Sequence, residues 1–379
     1  MPLREPYSVG PIRLLPFRRG TQPGDLPHVQ QADIDAIVGT YAAIPGCRVT
    51  HAALLEVDNW QVGANPEPYL ARLRLARDAI GFSALAARQL FRGHSRYCCF
   101  DDFTLVIRGF QPGNAEHFSY AVWRRDGNSL HGWGASDFAF HQPLHVGNLK
   151  FGVEIDDQLV RYLMGSSANP RVIEAIAEFN RANTDSDDMP THVELVMMKS
   201  AFEQLLDVGV QWQDFAKALE SILKSIPAPT EIANGQVWLS RYSKSKRPIS
   251  AWAQEFCARR SAAAHGNRIV DARHVWSERA HLAFAAMLFP LLVKYVASAA
   301  GAYRMTSEDT ARLSGVELYL DHHPFAALSE DREDEDDEHP WSRIDSDLHS
   351  RILNARIREQ LMARFNLDYS IDEDDGTTG

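Results

Sequence analysis

Between Trp212 and Ile226 the apolar residues Trp212, Phe215, Ala216, Leu219, Ile222, Leu223 and Ile226 recur at three- and four-residue spacing. That period belongs to one face of an α-helix, whereas a half-buried strand would alternate every second residue. Pro227 and Pro229 end the run, since proline has no amide proton for the next turn. The same period surrounds it. Pro170 to Asn180 carries Val172, Ile173, Ile176 and Phe179 on one side; Leu195, Met198, Phe202, Leu205 and Leu206 make a second stripe. Ile249, Trp252, Ala253, Phe256 and Cys257 make a third within Ile249–Ala264, and Val275–Ala300 is apolar almost throughout. Each face must be covered, and the four amphipathic segments after Pro190 suffice to close a small bundle. Thr191 and Glu194 have the spacing of a capping box at the head of one of them.

The first part of the chain reads differently. Residues 1 to about 30 are rich in Pro, Gly and Arg and are expected to form an extended arm. A short helix is expected over Ala32–Tyr41 and a longer, arginine-rich one over Pro66–Phe91. Phe103–Ile107 has strand composition, and Phe118–Trp123 with Leu130–Trp133 flank an Asp126-Gly127-Asn128 turn, the pattern of a hairpin. The expected class is α+β: a mixed α/β domain over residues 1–150 with a sensing or recognition role, an all-α bundle over 151–305, and an acidic, partly disordered tail over 306–379.

The formal charge of −11 is a property of that tail. From Asp321 to Gly379 there are 17 acidic and 6 basic residues, which leaves 33 of each sign in the rest. An acidic total therefore does not exclude a polyanionic partner for the body, because local patches set the field at a site. The block Glu330–Glu338 repels itself and is expected to be disordered. Four cysteines without a CxxC pair suggest a reducing compartment. The first residues lack the apolar run of a signal peptide, and Ala280–Val293 is shorter than the ~20 apolar residues that span a bilayer. A cytoplasmic protein without membrane contact is expected. No spacing of His, Cys or carboxylates matches a metal site, so neither metal nor cofactor is expected.

The chemistry-bearing candidate is Arg260-Ser-Ala-Ala-Ala-His265, followed by Gly266. Histidine exchanges a proton near neutral pH, and arginine presents a planar, permanently charged fork suited to a phosphate. Arg260 lies eleven residues after Ile249, which at ~100° per residue returns it to within about 20° of the apolar stripe. A partner is then expected there: an acid such as Glu203 or Glu255, a second protomer, or a bound phosphate. His265 falls where Gly266 stops the helix, and the negative helix end favours its charged form.

The run Phe256-Cys-Ala-Arg-Arg-Ser-Ala-Ala-Ala-His-Gly266, set between amphipathic helices and followed by a long apolar one, resembles the HEPN superfamily, in particular the ApeA-like HEPN proteins. The segment Glu194–Leu206 is similar to the helix preceding the motif in that family, with Glu203 where an acidic residue often stands. The resemblance covers residues 151–300 and implies a helical bundle whose R-x4-6-H motif maps to Arg260 and His265. Ser261 stands where that family often has Asn or another polar residue. The implied activity is metal-independent endoribonuclease cleavage to 2′,3′-cyclic phosphate and 5′-OH ends. The implied setting is a homodimer acting in antiviral (abortive infection) defence or as a toxin, with a phage or cellular trigger at the N-terminal domain. The alternative the family allows is a non-catalytic module that binds nucleic acid or nucleotide, or dimerises. Lys244, Lys246, Arg247, Arg259, Arg268 and Arg273 are the residues expected to track RNA phosphates around the motif.

Overall fold

The computed structural model describes residues 3, 5–21, 30–44, 47–57, 66–88, 98–107, 113, 115, 117–124, 126–134, 140–141, 153–166, 168–185, 188–226, 242, 245, 247–265 and 274–321, and the single positions 350, 357 and 364. Its class is α+β, with helices predominating over small sheets.

The N-terminal segment is not an arm. Strands β1 (Tyr7–Val9) and β2 (Ile12–Arg18) pair antiparallel, and β2 pairs along its whole length with β5 (His51–Val57). Gly10 takes φ 53° in the intervening turn, a conformation that favours glycine. Val9, Ile12 and Leu14 are buried, a pattern that the surrounding Pro and Arg composition obscures. After α1 (Gln31–Gly39), β3 (Tyr41–Ile44) lies between β4 (Cys47–Arg48) and β8 (Phe140–His141), antiparallel to the first and parallel to the second. The expected hairpin is present as β6 (His117–Arg124) and β7 (Gly127–Gly134). Its closing pair is Arg124–Gly127, so Gly127 and Asn128 belong to the strand.

Phe103–Ile107 is not a strand. Phe100–Phe103 is a 3-10 turn, in which the Thr104 hydroxyl donates to the Asp101 carbonyl at 2.9 Å and the Cys99 amide to the Asp102 carboxylate at 3.4 Å. Such local side-chain bonds compete with strand pairing.

The helices α2 (Pro66–Ala87), α3 (Asp157–Met164), α4 (Pro170–Arg181), α5 (Thr191–Leu206), α6 (Trp212–Lys224), α7 (Pro248–Ala264) and α8 (Glu278–Ala299) share one hydrophobic core. That core crosses the boundary expected at residue 150. Phe82 of α2 sits edge-on to Phe179 of α4 and Phe289 of α8, with ring centroids 5.6 and 6.2 Å away. Phe179 stacks on Phe289 at 4.4 Å, and Phe202 of α5 meets Phe289 at 5.2 Å. Polar bonds reinforce the joint: buried Arg88 donates to the Cys98 carbonyl at 3.2 Å and to the Asn183 side chain. Both Cys98 and Cys99 are buried.

Helix α5 lacks the expected capping box. Pro190 occupies the cap with no side-chain bond, and Thr191 is the first helical residue. Helix α8 is the one described helix long and apolar enough to cross a membrane. It lies in the interior, with Phe284, Leu288, Phe289, Leu292 and Val293 fully buried. Lys294 near its end donates to Asp309 at 2.7 Å and Asp156 at 3.0 Å, and the Tyr303 hydroxyl donates to Asp156 at 2.8 Å. Asp309 follows the boundary expected for the tail, in α9 (Ser307–Ser314). With α10 (Leu318–Asp321), this segment buries Leu313, Val316, Tyr319 and Leu320 in the core. The core therefore continues past residue 305, at least to Leu320. The acidic block Glu330–Glu338 lies outside the described residues.

Candidate functional site

Helix α7 carries the motif and packs against α5, α6 and α10, and meets α8 through Trp252 on Phe284 and Glu255 on His281. Its start is fixed by Arg247, which pairs with Glu317 while the Ile249 amide donates to the same carboxylate at 3.2 Å. Trp252 stacks on Phe256 at 4.8 Å and meets Phe284 edge-on at 4.8 Å. The helix ends at His265, whose amide donates to the Ser261 carbonyl at 3.1 Å and whose backbone sits at φ −99°. Pro248 at the start and the change at His265 bracket one continuous element.

The two adjacent arginines are placed oppositely. Arg259 is 1 % exposed. It donates to the Trp276 carbonyl at 2.6 Å and lies 3.8 Å from Glu255 and 3.9 Å from Glu278. It is therefore an interior residue, not part of a surface patch for RNA. Arg260 is half-buried, its Nε has no hydrogen-bond partner, and no carboxylate pairs with it among the described residues. Neither acid expected for it is engaged there. Glu203 pairs with Lys199 at 2.8 Å, and Glu255 serves the interior network. Ser261 and His265 are exposed. Of the remaining basic candidates, Arg247 is bound to Glu317, while Lys244, Lys246, Arg268 and Arg273 lie outside the described residues.

The interior network was not anticipated. Fully buried Glu255 accepts from the Tyr242 hydroxyl at 2.7 Å and from the Val275 and Trp276 amides at 2.7 and 2.8 Å. His281 Nε2 lies 3.0 Å from the same carboxylate and donates to it in the neutral tautomer that fits this pairing. Burial alone pushes Glu255 up, but these donors outweigh it and hold the carboxyl near 2. Burial dominates at His281 and lowers its pKa, against the pull of Glu255. The pair is thus an ionised carboxylate beside a neutral imidazole, with the Arg259 charge close by. Its structural effect is to fasten the chain before α8 onto α7. One signal was legible: Glu255 and Arg259 are four residues apart on a face otherwise apolar. Nothing in the spacing marks His281 as the third member.

Lys199 is a second buried charge that the spacing does not mark. It is fully buried, with its ammonium 4.3 Å from the Phe215 ring centroid as well as on Glu203. The two are four residues apart on a helix, the ordinary ion-pair spacing. Among the described residues no group of three or more His, Cys, Asp or Glu is placed to hold a metal ion. The arrangement at the end of α7 offers a cationic fork, a hydroxyl and an imidazole on the surface of a rigid helix. That set can bind an anion and move a proton. No family model, curated protein or solved structure matches the chain.

Proposed function

We propose that the chain is a HEPN-type endoribonuclease acting without a metal ion. The observation that carries this reading is the placement of Arg260 and His265. Both are on the accessible end of α7, and neither is consumed by the core, whereas neighbouring Arg259 is. An arginine held half-buried without a carboxylate is primed for an external anion.

In this reading His265 takes the proton from a ribose 2′-OH, or delivers one to the departing 5′ oxygen. Arg260 donates to the phosphoryl oxygens as negative charge builds on the phosphorane. Attack by the 2′ oxygen forms the 2′,3′-cyclic phosphate and releases a 5′-OH end. DNA lacks the nucleophile and is left intact. Arg260 and His265 are five residues apart, so at ~100° per residue they diverge around the helix. A homodimer that faces two α7 ends across one cleft would bring an arginine and a histidine to one phosphate. The bundle of α5 to α8 is the HEPN-like part in this account, and the strands of the first 141 residues supply a recognition surface for the trigger. The setting is cytoplasmic defence against phage, or a toxin.

The test is an RNA oligonucleotide beside its 2′-O-methyl counterpart. Cleavage of the first to a cyclic phosphate, with the second intact, is expected. Equal cleavage of both would remove the 2′-OH from the mechanism. The second reading, a binding module, is favoured by the exposure of His265, which has no described group to orient its ring. It predicts RNA retention without cleavage.

A further inference from the structure

The stretch Val275–His281 is tied at both ends to one carboxylate on the neighbouring helix. Glu255 of α7 accepts from the Val275 amide at 2.7 Å, the Trp276 amide at 2.8 Å and, from the start of α8, His281 Nε2 at 3.0 Å. The Tyr242 hydroxyl at 2.7 Å is a fourth donor, which fills about the capacity of two carboxylate oxygens. So full a set needs the ionised carboxylate, and it fixes the single ring proton of His281 on Nε2. The other ring nitrogen, Nδ1, is buried and has no hydrogen-bond partner among the described residues. Aromatic rings close in on the imidazole. Phe256 stacks on it with centroids 5.6 Å apart, and Trp276 and Trp252 stand at 6.0 and 6.1 Å.

A second proton on this ring meets several obstacles. Its Nδ1–H would be a buried donor without an acceptor. The Arg259 guanidinium, 3.8 Å from Glu255, already brings a compensating positive charge and repels another. His274, just before the stretch, is a further titratable ring that acts the same way, while Glu278 stands 3.9 Å behind Arg259. The other helices packed on α8 carry charges engaged with one another: Lys199 with Glu203 on α5, Arg77 with Asp78 on α2, and Asp309 of α9 with Lys294 toward the far end of α8. Burial adds its own cost to the imidazolium.

We infer that the Glu255–His281 pair is a proton-operated latch between α7 and α8, closed while His281 is neutral and released when its Nδ1 takes a proton. The imidazolium reaches water only if the start of α8 lifts from α7. Val275 and Trp276 hang on the same carboxylate and leave with it, a local opening rather than unfolding of the whole chain. The latch does not depend on the ribonuclease reading, because it concerns how two helices stay together and not what the end of α7 binds.

The test is amide hydrogen exchange of the full chain between about pH 5.5 and 7.5, resolved by fragment-ion mass spectrometry and corrected for the intrinsic effect of pH. Protection of Val275 and Trp276 is expected to fall about tenfold toward the acid end, the factor for one proton taken up below the ordinary 6.5. The Ile249 amide, which donates to Glu317 at the other end of α7, should keep its protection. His281→Gln retains a neutral donor without a titrating ring and should make Val275 and Trp276 level across the range. His274→Gln should leave the fall in place. Level protection in the wild type, an equal fall at Ile249, or loss of the fall in His274→Gln would overturn the inference. If His281→Gln does not fold, the nitrogen resonances of labelled histidine in the wild type decide it. A His281 neutral and protonated on Nε2 at about pH 6 is expected, and an imidazolium there would overturn the latch.

Discussion

Arg259 and Arg260 are consecutive on one helix and do opposite things. Arg259 is closed inside, between the Trp276 carbonyl, Glu255 and Glu278, while Arg260 lies at the half-buried edge with no carboxylate on it among the described residues. Consecutive helical residues point about 100° apart, so one step around α7 separates the core from the accessible surface.

That contrast predicts separable effects on stability. Arg259→Ala leaves the Glu255 carboxylate short of its compensating charge in the interior. It should cost about 3–5 kcal/mol in urea unfolding. Arg260→Ala should shift stability by less than about 1 kcal/mol. Equal losses for the two would show that Arg260 is also part of the frame.

Acid should loosen the same frame. An unfolded histidine takes its proton near the ordinary 6.5, but buried His281 resists it. The unfolded state then binds more protons, and stability falls as pH drops through 6.5. Glu255 adds a second loss between its ordinary 4.5 and about 2. Glu194 works the other way. Burial, with Asp185 and Asp101 nearby, raises it to about 7, so its contribution is lost as pH rises from 4.5 to 7. Unfolding midpoints measured against pH in Glu194→Gln should therefore show the acid loss more steeply than in the wild type. A midpoint in that variant that stays level down to 4.5 would contradict the buried neutral His281.

Gly81 locks α2 to the Phe100–Phe103 turn. A Cβ there would meet the Phe100 ring at 2.5 and 2.8 Å. Gly81→Ala gains helix propensity but forces that ring aside, and should destabilise by about 1–3 kcal/mol on balance. A stabilised variant would mean that the turn gives way freely.

Much of the helical framework could be read from the sequence. The stripes of α4, α6 and α7 are regular, and Asn169, Pro248 and Ser277 stand at or next to helix starts. What could not be read had physical causes. The strand Ile12–Arg18 contains Pro16 and ends in arginines, which resembles a loop by composition. Helix α2 joins the later helices through Phe82, a contact across about two hundred residues that periodicity does not encode. At the site, spacing singled out Arg260 and His265, but the angular estimate aimed Arg260 at the packing face. The structure gives that interior position to Arg259, because α7 is covered on several sides and Glu255 is one turn before it. His281 is not legible in the sequence because its partner Glu255 is brought to it only by folding, and the Lys199–Glu203 pair has an ordinary helical spacing that does not show the lysine to be buried.

If the working site is assembled across a dimer, variants should complement each other. Arg260→Ala and His265→Ala should each be inactive alone. Mixed under exchange conditions, heterodimers should regain one intact pairing of Arg260 with His265 and recover part of the activity. No recovery, in a preparation shown by analytical ultracentrifugation to be a dimer that exchanges, would place the arginine and histidine of a site on one protomer.

The most direct measurement compares wild type, Arg260→Ala and His265→Ala, all folded, on total cellular RNA in excess EDTA, with the fragment ends analysed. The account predicts wild-type fragments ending in 2′,3′-cyclic phosphate and starting with 5′-OH, and none from either variant. Cleavage that persists in His265→Ala, or that disappears from the wild type when EDTA is added, would contradict it.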